Sequence, residues 1–88
     1  MSYFMWSRQA QGIFNKLIKK TPAFIRSVVK DKVSKKAESF AQENNREQVE
    51  EKDVVDAFFA ETPFGFHGAM KCDMEEFGIN YEKYGYER

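Results

Sequence analysis

Apolar residues recur at the three-and-four spacing of a helix face in three separate blocks of this 88-residue chain, which points to a small all-α fold. In the first block Ala10, Ile13, Phe14, Leu17 and Ile18 make one face. Ser7 is placed to cap its start, and the helix should end near Lys20. Thr21-Pro22 reads as a second start, because threonine can cap free amides and proline's missing N–H is harmless at the first helical position. The stripe Ile25, Val29, Val33, Ala37, Phe40 and Ala41, with Val28 at its edge, then carries a long helix to Asn44 and Asn45, which end it. Gln48 and Val49 form a short extended link. The third block, EEKDVVDAFF, has acids in its first turn, where the helix dipole favours them. Val54, Val55, Ala57, Phe58 and Phe59 cover so much of its circumference that this helix should be clamped between the other two, or against a partner. Thr62-Pro63 stops it.

The expected architecture is therefore a three-helix core over 1–61, short-long-short in order, followed by an aromatic C-terminal arm over 62–88. Within the arm a short helix is expected around 68–77, with Gly78 as its cap. No internal repeat and no low-complexity segment is evident.

Forty-two per cent hydrophobic residues, 16 per cent of the chain being aromatic, suffice for a core despite 32 per cent charge. A chain this short buries a modest fraction of its surface, so a partner would help to stabilise it. One cysteine, Cys72, excludes an internal disulfide, and the absence of a leader pattern adds to a cytoplasmic expectation. No stretch approaches the roughly 18 apolar residues that a membrane span needs. The net charge is zero but polarised. Residues 1–36 hold nine Lys or Arg against one Asp, and the rest of the chain holds thirteen acids against five bases. Such a division suits docking onto a partner with matching patches better than wrapping a phosphate backbone, so nucleic acid is not the expected ligand.

Nothing in the chain looks catalytic. His67, Cys72 and Asp73 are the one grouping that hints at metal, yet a tetrahedral site wants three or four ligands at characteristic spacings. His67, beside glycines and Phe66, could instead ligate a chlorophyll magnesium or stack on a tetrapyrrole. Otherwise no cofactor is expected. No Ser-His-Asp set and no phosphate-cradling glycine loop is present.

Arg46, Val49, Asp53, Val54, Val55 and Ala57 together resemble the loop and third helix of the histone fold, where a loop arginine pairs with an aspartate one turn into the helix. That resemblance implies a DNA-binding dimer, the alternative reading of this chain. A second resemblance spans residues 6–59. It rests on Trp6-Ser7, Ala10, Leu17, Pro22-Ala23-Phe24-Ile25-Arg26, Ala37-Glu38-Ser39-Phe40-Ala41, Val49, Asp53-Val54 and Ala57. These are similar to the C-terminal helical domain of the light-independent protochlorophyllide reductase B subunit. In that family a tryptophan opens the first helix, and a proline and an aromatic precede an arginine. Two departures stand out: about one extra helical turn between Arg26 and Phe40, and the acidic VEEKD link in place of a threonine cap. The reductase's cluster ligands and substrate pocket belong to a large domain that this chain lacks. The resemblance thus implies a non-catalytic accessory subunit or interaction module, attached to a larger protein complex of chlorophyll biosynthesis, photosynthesis or electron transfer, with peripheral membrane association through that complex.

Two local questions remain for the structure. Arg26 sits within the apolar arc of the second helix, so it either snorkels to water or pairs with Asp53 or Asp56. The arm holds Phe64, Phe66, Phe77, Tyr81, Tyr84 and Tyr86, six of the fourteen aromatics, together with Met70 and Met74. These residues either fold back over the core or form a docking arm for a partner.

Overall fold

The computed structural model describes residues 4–88. It is all-α apart from one two-residue parallel ladder. Strand β1 (Met5–Trp6) is followed by α1 (Arg8–Lys20), a 3-10 turn (Ala23–Ile25) and the long α2 (Arg26–Glu43). The order then recurs, with β2 (Gln48–Val49), α3 (Glu51–Glu61), a 3-10 turn (Phe64–Phe66) and α4 (His67–Glu76). A last 3-10 turn spans Tyr81–Tyr84. Among the described residues no helix is long and apolar enough to cross a membrane.

Local chemistry accounts for most of these boundaries. Ser7 Oγ accepts a hydrogen bond from the Ala10 N–H at 3.1 Å, and Lys19 and Lys20 lie in the last turn of α1, where the dipole favours cations. Thr21 does not cap the second helix, contrary to the reading of Thr21-Pro22 as its start. It closes α1 instead, its N–H donating to Ile18 O and its hydroxyl to Leu17 O. Pro22 leads into the 3-10 turn, and α2 begins only at Arg26. At the far end Asn45 takes φ 58°, the left-handed conformation that asparagine tolerates better than most residues, and the Arg46 N–H returns to Ala41 O at 2.9 Å. The Glu50 N–H donates to Asp53 Oδ2 at 2.9 Å, which caps α3 from within its own first turn.

The expected faces meet in one core. Ala10, Phe14, Leu17 and Ile18 of α1 and Val33, Ala37 and Ala41 of α2 close around Val54, Val55, Ala57 and Phe58 of α3. The two alanines on α2 let α3 approach closely. Ile25, expected in the buried stripe, is 38% exposed, because the 3-10 turn carries it off the helical register. Parallel pairing of Met5 with Gln48 and Trp6 with Val49 ties the start of the described chain to its middle.

The C-terminal arm folds back. Met70 and Met74 of α4, then Ile79 and Tyr81, join the same buried cluster, so residues 62–88 do not make a separate unit. Gly78, at φ +73°, turns the chain after α4 as its position suggested.

Candidate functional site

The two helical pairs share a connection. In the first, Thr21-Pro22-Ala23-Phe24-Ile25-Arg26 runs from the end of α1 into α2. In the second, Thr62-Pro63-Phe64-Gly65-Phe66-His67 runs from the end of α3 into α4. Backbone angles match step for step: Thr21 and Thr62 are extended (ψ 137° and 127°), Pro22 and Pro63 have φ −53° and −56°, and Ile25 and Phe66 have ψ 2° and 4°. Even the side-chain tie is repeated. Arg26 Nη2 donates to Thr21 O at 3.0 Å, and His67 Nε2 donates to Thr62 O at 2.9 Å. With β1 and β2 each opening one unit, the chain is a doubled strand–helix–turn–helix unit, so the expectation of no internal repeat is corrected. The signal lies in the recurrence of Thr-Pro followed, three residues after the proline, by an apolar residue and then a base. Only six positions carry it, and the flanking helices differ in length.

Between the two turns lies an apolar groove of about 440 Å³. Its lining includes equivalent positions of the two units: Leu17 and Phe58, Pro22 and Pro63, Ile25 and Phe66, and Val29 and Met70. The same turns hold nearly all the large exposed hydrophobic side chains. Phe24 is 86% exposed, Phe64 88% and Phe66 66%, and Ile25 and Val28 join them; among the described residues only Met5 lies elsewhere. Charges at equivalent positions on the two walls have opposite sign, Lys20 against Glu61 and Lys32 against Asp73. Lys20 is held by Glu76 at 3.1 Å, whereas the side chains of Lys32, Glu61 and Asp73 have no partner among the described residues. A second, wider depression of about 710 Å³ has Phe64 on its rim, with Phe40 and Tyr86, and spreads over Lys52, His67, Lys71 and Glu87. It is open to water along its length, and its charged lining makes it the weaker docking surface.

The sequence-selected residues divide clearly. Of the proposed docking aromatics, only Phe64 and Phe66 are exposed, and the Phe64 ring lies tilted against His67 with centroids 5.4 Å apart. Met70, Met74 and Tyr81 are core residues, and Phe77, Tyr84 and Tyr86 are half-buried against that core, so the docking-arm reading fails for these six. Two tyrosines, Tyr84 and Tyr86, clasp the arm to the rest of the chain, and a third, Tyr81, is bonded within the arm. Tyr81 donates to Glu75, Tyr84 to Glu51 and Tyr86 to Asp56, each at 2.5 Å, and Tyr86 stacks on Phe59 with ring centroids 3.9 Å apart. The Glu75 carboxylate pushes the Tyr81 hydroxyl up to about 12, and burial followed by Asp56 raises that of Tyr86. Burial pushes the Glu51 carboxyl up, but hydrogen bonds from Tyr84 and Lys83 outweigh it and hold the group below its usual range.

Arg26 pairs with neither Asp53 nor Asp56. Its guanidinium reaches back to the carbonyls of Lys19 and Thr21, the free acceptors at the end of α1, and its Nε is buried without a partner among the described residues. Asp53 instead meets Arg46 at 3.3 Å, the pairing that the histone-like motif implied, and Asp56 meets Lys52 at 2.6 Å. Burial raises the Asp53 carboxyl above its ordinary value despite Arg46 and the Glu50 amide. His67 is committed through Nε2 to Thr62 and packs edge-on against Phe59, so that nitrogen is not available to a pigment metal. Among the described residues no group of three or more His, Cys, Asp or Glu could hold a metal ion. One pair from the reductase-like motif was missed by sequence reasoning: Trp6 Nε1 donates to Glu38 at 2.9 Å while its ring meets Phe14 edge-on. Both residues stood in the motif, but nothing in their spacing shows that they touch.

Together these features define a class: a small all-α domain of two equivalent helical pairs, with an apolar groove where their turns meet. A family model described as "Protein of unknown function (DUF2621)" matches residues 1–87, and the chain belongs to that family. No curated protein and no solved structure matches it.

Proposed function

We propose that this domain is a non-catalytic interaction module whose docking surface is the groove between the two Thr-Pro turns. The observation that carries the proposal is an apolar groove lined by the exposed Ile25 and Phe66, with Phe24, Val28 and Phe64 exposed close to them in sequence. Contiguous apolar surface rimmed by charge is the usual mark of a protein contact, and large rings exposed to water are costly without one. The three unpaired rim charges would select the partner and its orientation. The likeness to an appendage of a multi-subunit reductase supports the same class of role, and a tetrapyrrole-metabolising complex is the partner setting it suggests.

The test is site-specific photo-crosslinking in cells, with the reactive residue placed at Phe66 or, as a control, at exposed Glu43 at the end of α2. A discrete adduct from Phe66 that is missing from Glu43 is expected. The same diffuse background from both positions would reject the groove as a docking surface.

A further inference from the structure

We infer that the groove's occupant is the Phe64-Gly65-Phe66 turn of a second copy of this chain, exchanged reciprocally; the inference rests on the docking reading above. Opposite signs on equivalent walls carry it. The α1–α2 wall presents Lys32, and the α3–α4 wall presents Glu61 and Asp73, all without partners among the described residues of their own chain.

An isologous dimer applies one patch to itself, so it needs a surface that complements its own copy after a half-turn. This surface meets that condition. Turn a second copy so that its acidic wall enters the groove of the first, and its Glu61 and Asp73 come beside the first copy's Lys32. The same half-turn repeats the contact in the other direction. Phe66 lines the groove on its acidic wall and is exposed, Phe64 projects from the same turn on the side of the wider depression, and the groove is apolar and open. The turn supplies the ridge and the groove supplies the slot. A wall carrying a single sign of charge on both sides would instead repel its own copy.

The test is sedimentation equilibrium of the 88-residue chain, with circular dichroism to verify that each variant folds. A concentration-dependent dimer is expected. Lys32→Glu and Asp73→Lys should each weaken it by about tenfold or more. The double variant, which exchanges the two signs, should recover most of the loss, an outcome that general destabilisation would not produce. Phe66→Ser should weaken it without altering the response to the charge reversals. A chain that stays monomeric at about 0.5 mM, or a dimer indifferent to both reversals, overturns the inference. So does a monomer that sediments with anionic phosphatidylglycerol vesicles, which would assign the exposed rings to a lipid surface. Monomeric behaviour combined with a specific Phe66 adduct to another protein would overturn self-association and leave the docking reading standing.

Discussion

Arg26 illustrates how a charge within an apolar arc can be satisfied without a counter-ion. Two carbonyls at the end of α1 accept from it, so it secures the turn between helices rather than the docking of α3. Arg26→Met would leave those carbonyls short of a donor, at a cost of about 1–3 kcal/mol, read as a lowered denaturation midpoint in urea. The tyrosine–carboxylate bonds of the arm, two of which clasp it to α3, make a prediction of the opposite kind, through pH. Tyr81 has a folded-state value of about 12 against 10.0 for the free side chain, so the folded chain holds this proton more tightly. Its contribution to stability is therefore complete below pH 10 and disappears as pH rises toward 12. Tyr84 and Tyr86 are shifted in the same direction. Tyrosinate absorbance and helical circular dichroism should change together in one cooperative alkaline step. Ionisation of these tyrosines with helicity unchanged would show that the clasp does not hold the arm. At the acid end Glu51 and Glu75 are held below 4.5, so their share is present above that pH and falls away as pH drops through their lowered values.

At the scale of elements, the helices were the legible part. Faces built from Ala10, Phe14 and Leu17, or from Val33, Ala37 and Ala41, follow from spacing alone, because a helix repeats the same geometry everywhere. The connections were less legible. Whether Thr21 caps α2 or closes α1 depends on the 3-10 turn, which competes with α-helix over only three residues. The arm was legible in composition but not in direction, since six aromatics can satisfy themselves on this chain or on another. Placement of the groove required both turns to be brought together by packing, which no local pattern records. Because Met70, Met74, Ile79 and Tyr81 lie in the shared core, truncation after Thr62 should abolish folding rather than release a stable helical trio. Each lost side chain removes roughly 1.5–3 kcal/mol from a total of about 5–15 kcal/mol. A cooperative thermal transition in residues 1–62 would refute this.

For the molecule as a whole, the charge division visible in the sequence becomes a difference between the two helical pairs, basic in the first and acidic in the second. A nucleic-acid ligand would meet cations on one side and carboxylates on the other. The chain should therefore pass through a heparin column at about 0.15 M salt, and retention there would revive the histone-like alternative. The two pairs also depend on each other. The ladder of Met5 and Trp6 with Gln48 and Val49 spans the doubled unit, and neither pair closes its apolar face alone.

The tyrosine clasp has a consequence for synthesis. A nascent chain adds residues in order, and one hydrogen-bond donor each to Glu51 and Asp56 comes from Tyr84 and Tyr86, far downstream. Until those tyrosines have left the ribosome, Asp56 has Lys52 and Glu51 has Gln9 but each lacks its tyrosine donor, and the Phe59 ring lacks its stacking mate, so the native arrangement can form only once residue 86 has emerged.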